Sequence, residues 1–402
     1  MKINFTLNID IDVIDSKLKT ILKAHTIISQ KALDQFVQQV ILEFAKEDMK
    51  MEVKPFRCEK CGQNINFIWK TRHGKKTGIL TEFKKIIIKQ LQIQCKDCNH
   101  KFYITRWLLG IEPRKIIPID TIKKLGLIGA LATYRVSEKI ISMFGITINK
   151  MAIWRSVQKT GKEIKFDLDP EEEAEGEADG TGVPIQRIKK RGKEIKVFTQ
   201  KKKSGGVRIA GLTIGSYDSG WDKLFEPLIP VIKQFKKFLL ITDGDTNIFK
   251  PLKGIVNVVL QRCLWHIPYQ MKYYLWKDNV KRNSKTYNYI LAELFEITAI
   301  RTLVNDDKII DQMIESKEKR LQNLILYCKK KSYQNCVTYL TNAQNDMFTA
   351  IKNRLNGKTT SHAERVMRTI NMRINVGKWS EEGALNVNKI RLAYYYNEFD
   401  VE

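Results

Sequence analysis

The sequence predicts an α/β multidomain protein: N-terminal helices, a four-cysteine ribbon, a helix-turn-helix, and a C-terminal α/β domain with a long helical stretch inside it. Three observations predict this. Two Cys-x-x-Cys pairs, Cys58/Cys61 and Cys95/Cys98, lie early in the chain. The run Phe166 to Asp179 holds eight acidic residues and no basic one, and such a run repels itself and stays solvated, so it marks a boundary. Beyond it, strand patterns alternate with helical ones, and two apolar runs, Phe238 to Ile241 and Val256 to Leu260, end abruptly in polar residues. Buried strands that deliver polar residues at their C-terminal ends are how open α/β sheets build a site.

The 402 residues give room for roughly two or three domains. With 70 Lys and Arg against 44 Asp and Glu, the net charge is +26. That exceeds what solubility needs and favours a polyanion, nucleic acid, over a merely solvated lysine-rich surface. There is no apolar run of transmembrane length, and the opening residues MKINFTLNIDID carry no secretory signal. The expectation is a cytoplasmic, nucleoid-associated protein without a membrane partner. The seven cysteines are an odd number, which argues against a disulfide framework.

Residues 1–50 form a helical N-terminal arm, with apolar residues from Leu18 to Phe44 recurring mostly three and four apart. It serves either dimerisation or DNA packing, or it caps its neighbour. Residues 51–106 form the ribbon. A thiolate pair separated by two residues grips an ion from a tight turn, and Cys58, Cys61, Cys95 and Cys98 complete the tetrahedral shell of a structural Zn2+. Strand-like segments, Gln63 to Trp69 and Lys85 to Ile93, fill the 33 residues between the pairs. His100 is a possible ligand or a surface residue of the second turn. In residues 115–165, helices are predicted over Leu125–Tyr134, Ser137–Met143 and Thr147–Thr160, capped by Ser137 and Asn149, with a turn at Phe144-Gly145-Ile146. This matches a DNA-binding helix-turn-helix whose second helix bears Asn149, Lys150 and Arg155, and equally any small helical bundle with a tight turn.

Residues 166–178 read as an acidic linker. Asp179 stands apart from it, opening a strand. Two further strands, Glu194–Thr199 and Val207–Tyr217, suggest a meander. Residues 187–203 carry nine Lys or Arg against one Glu, either a phosphate-backbone contact or an exposed hairpin tip. Gly205-Gly206 lacks the lysine and hydroxyl of a phosphate-binding loop, which excludes a nucleoside-triphosphatase. Trp221 to Lys236 reads as one amphipathic helix. Residues 270–357 are helical and lysine-rich. A last site helix is capped at Thr360 or Ser361 and places Glu364, Arg368 and Asn371 on one face.

Three carboxylates then stand out: Asp179, Asp243 and Glu364. Cleaving a phosphodiester near neutral pH requires charge neutralised on the attacking and leaving oxygens, and two Mg2+ or Mn2+ ions on hard oxygen ligands do this. Isolated acids at strand ends are also common, and Asp245, Glu381 and Glu382 compete for the same roles. Asp245 better fits a helix cap.

The set resembles the Mutator-like superfamily of DDE transposases from prokaryotic insertion sequences. The resembling pieces are Asp179-Gly180-Thr181, Thr242-Asp243-Gly244, Cys263-Leu264-Trp265-His266 and Thr360-Ser361-His362-Ala363-Glu364-Arg365, followed by Arg373, Gly377 and Trp379. The resemblance implies a ribonuclease-H-like mixed-sheet catalytic domain over 179–402 with an all-helical insertion at 270–357. It implies Asp179 bridging two metal ions, Asp243 on one and Glu364 on the other. Metal-activated water would cleave the transposon end and the freed 3′ hydroxyl would attack target DNA. The implied partners are double-stranded DNA, both terminal repeats and target, bound by a homodimer or higher assembly. Cys263 and His266 either shape the site or form a plain buried pair, with Trp265 in the core. Arg365, Arg368 and Arg373 contact phosphates or form a solvated face. Two other functions fit the same residues: a sequence-specific regulator with a degenerate catalytic domain, and a ribonuclease-H-like nuclease without strand transfer.

Overall fold

The computed structural model describes residues 18–81, 84–111, 116–187, 192–300 and 306–399, with side chains from residue 25 onward. The first 17 residues of the N-terminal arm and residues 188–191 of the basic segment lie outside the described residues. The protein is mixed α/β and divides into two compact units, one reaching Thr160 and one from Gly161 to Asp400.

The first unit opens with α1 (Leu18–Lys50). Strands β1 (Phe67–Thr71), β2 (Lys76–Leu80), β3 (Lys85–Lys89), β4 (Gln92–Cys95) and β5 (Lys101–Tyr103) follow. They form a three-stranded sheet, β1-β4-β5, and the hairpin β2-β3. An exposed strand edge leaves amides unpaired. Here α1 covers β3 with side chains: Asp34 Oδ1 accepts from Ile87 N at 3.0 Å and Gln38 Oε1 from Lys89 N at 2.5 Å. Ile41, Leu42 and Ala45 of α1 enter one core with Phe56, Phe67, Ile88, Leu91 and Ile93. The helix thus packs on its neighbour along this face, while Ile27, Ile28, Phe36 and Phe44 stay exposed.

Helices α2 (Thr105–Leu108), α3 (Ile119–Leu131), α4 (Tyr134–Met143) and α5 (Lys150–Glu163) complete the unit. The boundaries differ from the sequence expectation by a few residues. Thr133, not Ser137, caps α4, accepting from Val136 N at 3.4 Å; Ser137 is buried and donates to Ile128 O. Asn149 caps α5 as expected, accepting from Met151 N at 2.8 Å. Gly145, at φ +77°, makes the turn between α4 and α5.

The second unit is built on β6 (Glu175–Val183), β7 (Lys193–Lys201), β8 (Val207–Gly215), β9 (Phe238–Thr242) and β10 (Val258–Arg262), ordered β10-β9-β6-β7-β8. β6, β7 and β8 are an antiparallel meander, while β9 runs parallel to β6 and β10 parallel to β9. The acidic linker therefore ends earlier than its charge suggests. Glu175, Gly176, Glu177 and Ala178 belong to β6, and Glu177 is buried. A strand alternates its faces, so acids on one face can enter a site while the chain reads as a uniform charge run.

α6 (Trp221–Phe225) and α7 (Ile229–Ile232) replace the single helix expected over 221–236. Pro227 and Pro230 sit at the break, and each lacks the N–H that a continuous helix would need there. Their apolar side chains pack with Phe198, Phe238 and Leu240 against one sheet face. α8 (Thr246–Phe249) follows β9.

After β10 the chain forms α9 (His266–Lys277), α10 (Lys285–Thr298), α11 (Asp307–Lys330), α12 (Gln334–Gln344) and α13 (Thr349–Lys352). They enclose their own apolar core, from Ile267 and Met271 to Leu340 and Phe348. Buried Gln261 fastens this helical body to β10, accepting from Ala350 N at 2.9 Å and donating to Met347 O at 2.7 Å. α14 (Ser361–Ile374) and α15 (Glu381–Tyr396) end the unit.

Candidate active site

The register of the sheet decides which acids meet. β6 and β9 pair through Glu175↔Leu239, Gly176↔Leu240 and Glu177↔Ile241. Asp179 lies two residues past the last pair on β6, and Asp243 two residues past it on β9. The two aspartates thus hold corresponding places on adjacent parallel strands, just where the ladder stops. Side chains two apart share a face, so Glu177 and Asp179 look the same way.

α14 brings the third carboxylate. Thr360, its N-cap, makes no side-chain capping bond. The orphan amides are met from the sheet instead: Glu177 Oε2 accepts from Ala363 N at 2.6 Å. A buried carboxylate at a helix N-terminus satisfies both the amides and the dipole. Burial pushes the Glu177 carboxyl up to about 7, with the Ala363 and His362 amides opposing and Glu175 and Asp179 adding to the rise. Glu364, one residue beyond Ala363, is carried toward the aspartates by this anchor.

Asp179 accepts from Gly180 N at 2.7 Å. It keeps some solvent-facing surface, yet burial lifts its carboxyl to about 7, helped by the charges of Asp243 and Glu364. The charges of Asp243 and Glu364 thus both reach Asp179. Asp243 Oδ1 accepts from Asp245 N at 2.9 Å, and Gln270 of α9 donates to Asp243 O at 3.2 Å and Oδ2 at 3.4 Å. Gln270 is itself held by the Tyr339 hydroxyl at 2.9 Å. Asp245 caps α8 as the sequence suggests, accepting from Asn247 N at 2.9 Å. Gly244 between them has φ +96°, and a Cβ there would run into the Arg262 guanidinium. Arg262 in turn grips Asp346 through two bonds of 2.7 and 3.1 Å.

Cys263 and His266 join the site through Thr360. Thr360 N and Oγ1 lie 3.3 and 3.4 Å from Cys263 Sγ, and Oγ1 lies 3.4 Å from His266 Nδ1. His266 Nε2 is 2.9 Å from Glu364 Oε1. Burial works against a charged imidazole, but Cys263, Glu364 and Asp179 outweigh it and raise His266 to about 9. Near neutral pH the ring is protonated and faces the Glu364 carboxylate. A cleft of about 290 Å³ opens here, lined by Cys263, Trp265, Thr359, Thr360, Ser361, Glu364 and Arg368. Trp265 is exposed at its rim rather than part of the core.

Among the other expected residues, Arg365 and Arg368 are exposed on α14. Arg373 is buried, 4% exposed, with its guanidinium 4.6 Å over the Trp379 ring, so it is an internal cation rather than a surface one. In the first unit Asn149, Lys150 and Arg155 are exposed. Sequence reasoning missed Glu177, Gln270 and the Arg262–Asp346 pair. The position of Glu177 two residues before Asp179 was the available signal for the first. Gln270 and Arg262 carry none, because their partners are distant in sequence.

A separate candidate metal centre lies in the first unit. Ligand atoms of Cys58, Cys61, Cys95 and Cys98 all lie within 4.8 Å of one another, the one such group of three or more among the described residues. The Cys58–Cys98 and Cys61–Cys95 sulfurs are 3.5 and 3.6 Å apart. A tetrahedral ion with Zn–S bonds of about 2.3 Å sets its sulfurs ~3.8 Å apart, so the four thiols fit a metal such as zinc. Asp179, Asp243 and Glu364 do not reach that mutual closeness. No helix among the described residues is long and apolar enough to cross a membrane. No protein-family model matches the chain, and no curated protein matches its sequence.

Two outcomes follow from these groups. Purified protein should carry one zinc ion per chain, and the double substitution Cys58→Ser with Cys95→Ser should abolish it by elemental analysis; retention of the ion would contradict the four-thiolate site. The second concerns Glu177, whose folded value lies above its ordinary 4.5. The folded state then holds an extra proton between about 4.5 and 7, so this group's contribution is present at low pH and lost as pH rises through that window. Glu177→Gln keeps the acceptor without the titration. In buffer free of divalent ions, the variant should gain on the wild type by about 3 kcal/mol between pH 4 and pH 8 in denaturant melts. An unchanging difference would show that Glu177 is not held above its ordinary range.

Proposed function

We propose that the chain is a DDE-type transposase of the Mutator-like kind, in which the second unit is a ribonuclease-H-like catalytic domain interrupted by α9 to α13. The observation that carries this reading is the meeting of Asp179, Asp243 and Glu364 from β6, the end of β9 and α14. The Cys263–His266 element bonded to Glu364 through His266 supports it further. Three carboxylates with His266 as the one cation bonded to them are the hard-oxygen donor set that magnesium or manganese would take. Two such ions, when bound, would supply charge neutralisation at the attacking and leaving oxygens of a phosphodiester.

The chain's own groups have separate tasks. Gln270 orients the Asp243 carboxylate. His266 holds Glu364 by one oxygen and leaves the other free. Arg365 and Arg368, exposed beside Glu364, meet phosphates of the bound strand. In the first unit, α4 and α5 would serve as the DNA-reading pair, with Lys150 and Arg155 on the second helix. The charge of +26 supplies sequence-independent attraction to duplex DNA. Terminal repeats and target DNA are then the substrates, brought together by a dimer or larger assembly. Cleavage would hydrolyse one phosphodiester, consuming a water and leaving a 3′ hydroxyl and a 5′ phosphate; attack of that hydroxyl on target DNA would form one phosphodiester and break one, with a target 3′ hydroxyl as the leaving group.

The test uses duplex DNA from the ends of the element that encodes the chain, with Mg2+ and full-length protein. The wild type should nick at the repeat boundary, and Glu364→Gln should reduce the rate by roughly a thousandfold or more, the scale of a lost catalytic group. Nicking that survives Glu364→Gln would overturn the assignment.

A further inference from the structure

Helix α9 begins at the cleft and leads away from it, and its outer face is aromatic. Trp265, Tyr269, Tyr273 and Trp276 are between 40% and 69% exposed. At 100° per residue they fall within one quarter of the helix circumference, with Lys272 beside them. Trp265 and Tyr269 stack at 4.2 Å, and Tyr273 and Trp276 at 5.8 Å. Lys272 lies 4.4 Å over the Tyr269 ring and Lys277 4.9 Å over Tyr273. Phe295 of α10, also exposed, meets the edge of Tyr269 at 5.9 Å. The helix contains no Asp or Glu.

Four large rings left in water are costly, and nothing in the core requires them. Trp276 and Tyr273 point away from the apolar cluster that Ile267, Met271 and Leu275 join from the opposite side of the helix. Rings interleaved with ammonium groups and free of carboxylates are complementary to a strand of unstacked bases with its phosphates. Every base offers a π face, and each phosphate a partner for lysine. The row from Trp265 to Trp276 is about 16 Å long, room for roughly four or five stacked nucleotides.

We infer that the outer face of α9 is a track for single-stranded DNA, carrying the strand that leaves the cleft at Trp265. The inference rests on the nucleic-acid reading above for the identity of the polyanion, but not on cleavage. Trp265 lines the cleft beside Glu364, whereas Tyr273 and Trp276 do not line it.

Binding is therefore measured without divalent ions, using full-length protein and a fluorescent oligothymidylate ten nucleotides long, against a hairpin duplex of equal charge. The double variant Tyr273→Leu with Trp276→Leu keeps apolar bulk and removes the π faces. It should bind oligothymidylate at least roughly tenfold more weakly and the duplex within about twofold of wild type. Tyr273→Phe should bind as the wild type does. Photocrosslinking of 5-iodouracil oligonucleotides to the unmodified protein should place the adduct on α9. Equal loss for both DNAs, no loss for either, or adducts only elsewhere would overturn the track. So would a variant that converts a dimer to monomers in gel filtration with strand affinity unchanged, which would make the face a contact between copies. Retained strand binding with no nicking would instead fail the catalytic reading and leave the track standing.

Discussion

One hydrogen bond ties the third acid of the site to the other two. Ala363 N donates to Glu177 Oε2 at 2.6 Å, joining the first turn of α14 to the central strand β6. The bond is charge-assisted whenever Glu177 is ionised, and bonds of that class contribute roughly 1.5–3 kcal/mol. It also answers a need on each side. The helix has an N-terminus without a side-chain cap of its own, and the strand has a buried carboxylate that water cannot reach. Glu364 is placed by this bond because it is the next residue along the same turn as Ala363.

The opposing constraint is like charge. Burial disfavours ionisation of Glu177 and Asp179, and both are lifted to about 7, Asp179 also by the charges of Asp243 and Glu364. A fold gains nothing from such a gathering by itself. The counter-charges within reach are few: protonated His266 faces Glu364, while Arg262 is spent on Asp346. That shortage of cations is what the divalent-ion reading proposed above rests on. The helical body of α9 to α13 contributes as well, since Gln270 and Tyr339 reach from it to Asp243. It is thus part of the site's support as well as an appendage to the sheet.

How much of this was legible in the sequence depends on the range of the signal. The cysteine pairs were, because each pair is a local turn and four sulfurs then need only one meeting. The apolar runs ending at Thr242 and near Arg262 do form neighbouring parallel strands, and Asp245 and Asn149 do cap helices, because caps act within three residues. The start of β6 was hidden by its own charge: a window over Phe166 to Asp179 averages solvated acids with the buried Glu177. Pro227 and Pro230 broke a helix that apolar spacing alone had suggested. Arg373 and Trp265 exchanged their expected surroundings, the cation buried on Trp379 and the indole exposed, because spacing gives a residue's face but not what covers it.

In the proposed function Asp179, Asp243 and Glu364 would act together as one divalent-cation site. Its most direct test is the binding of Mn2+ to zinc-loaded protein, followed by electron paramagnetic resonance, in the wild type and in Asp179→Asn. Up to two ions per chain should bind to the wild type and be lost in Asp179→Asn, with the fold unchanged by circular dichroism. Equal Mn2+ binding by the two proteins would contradict it.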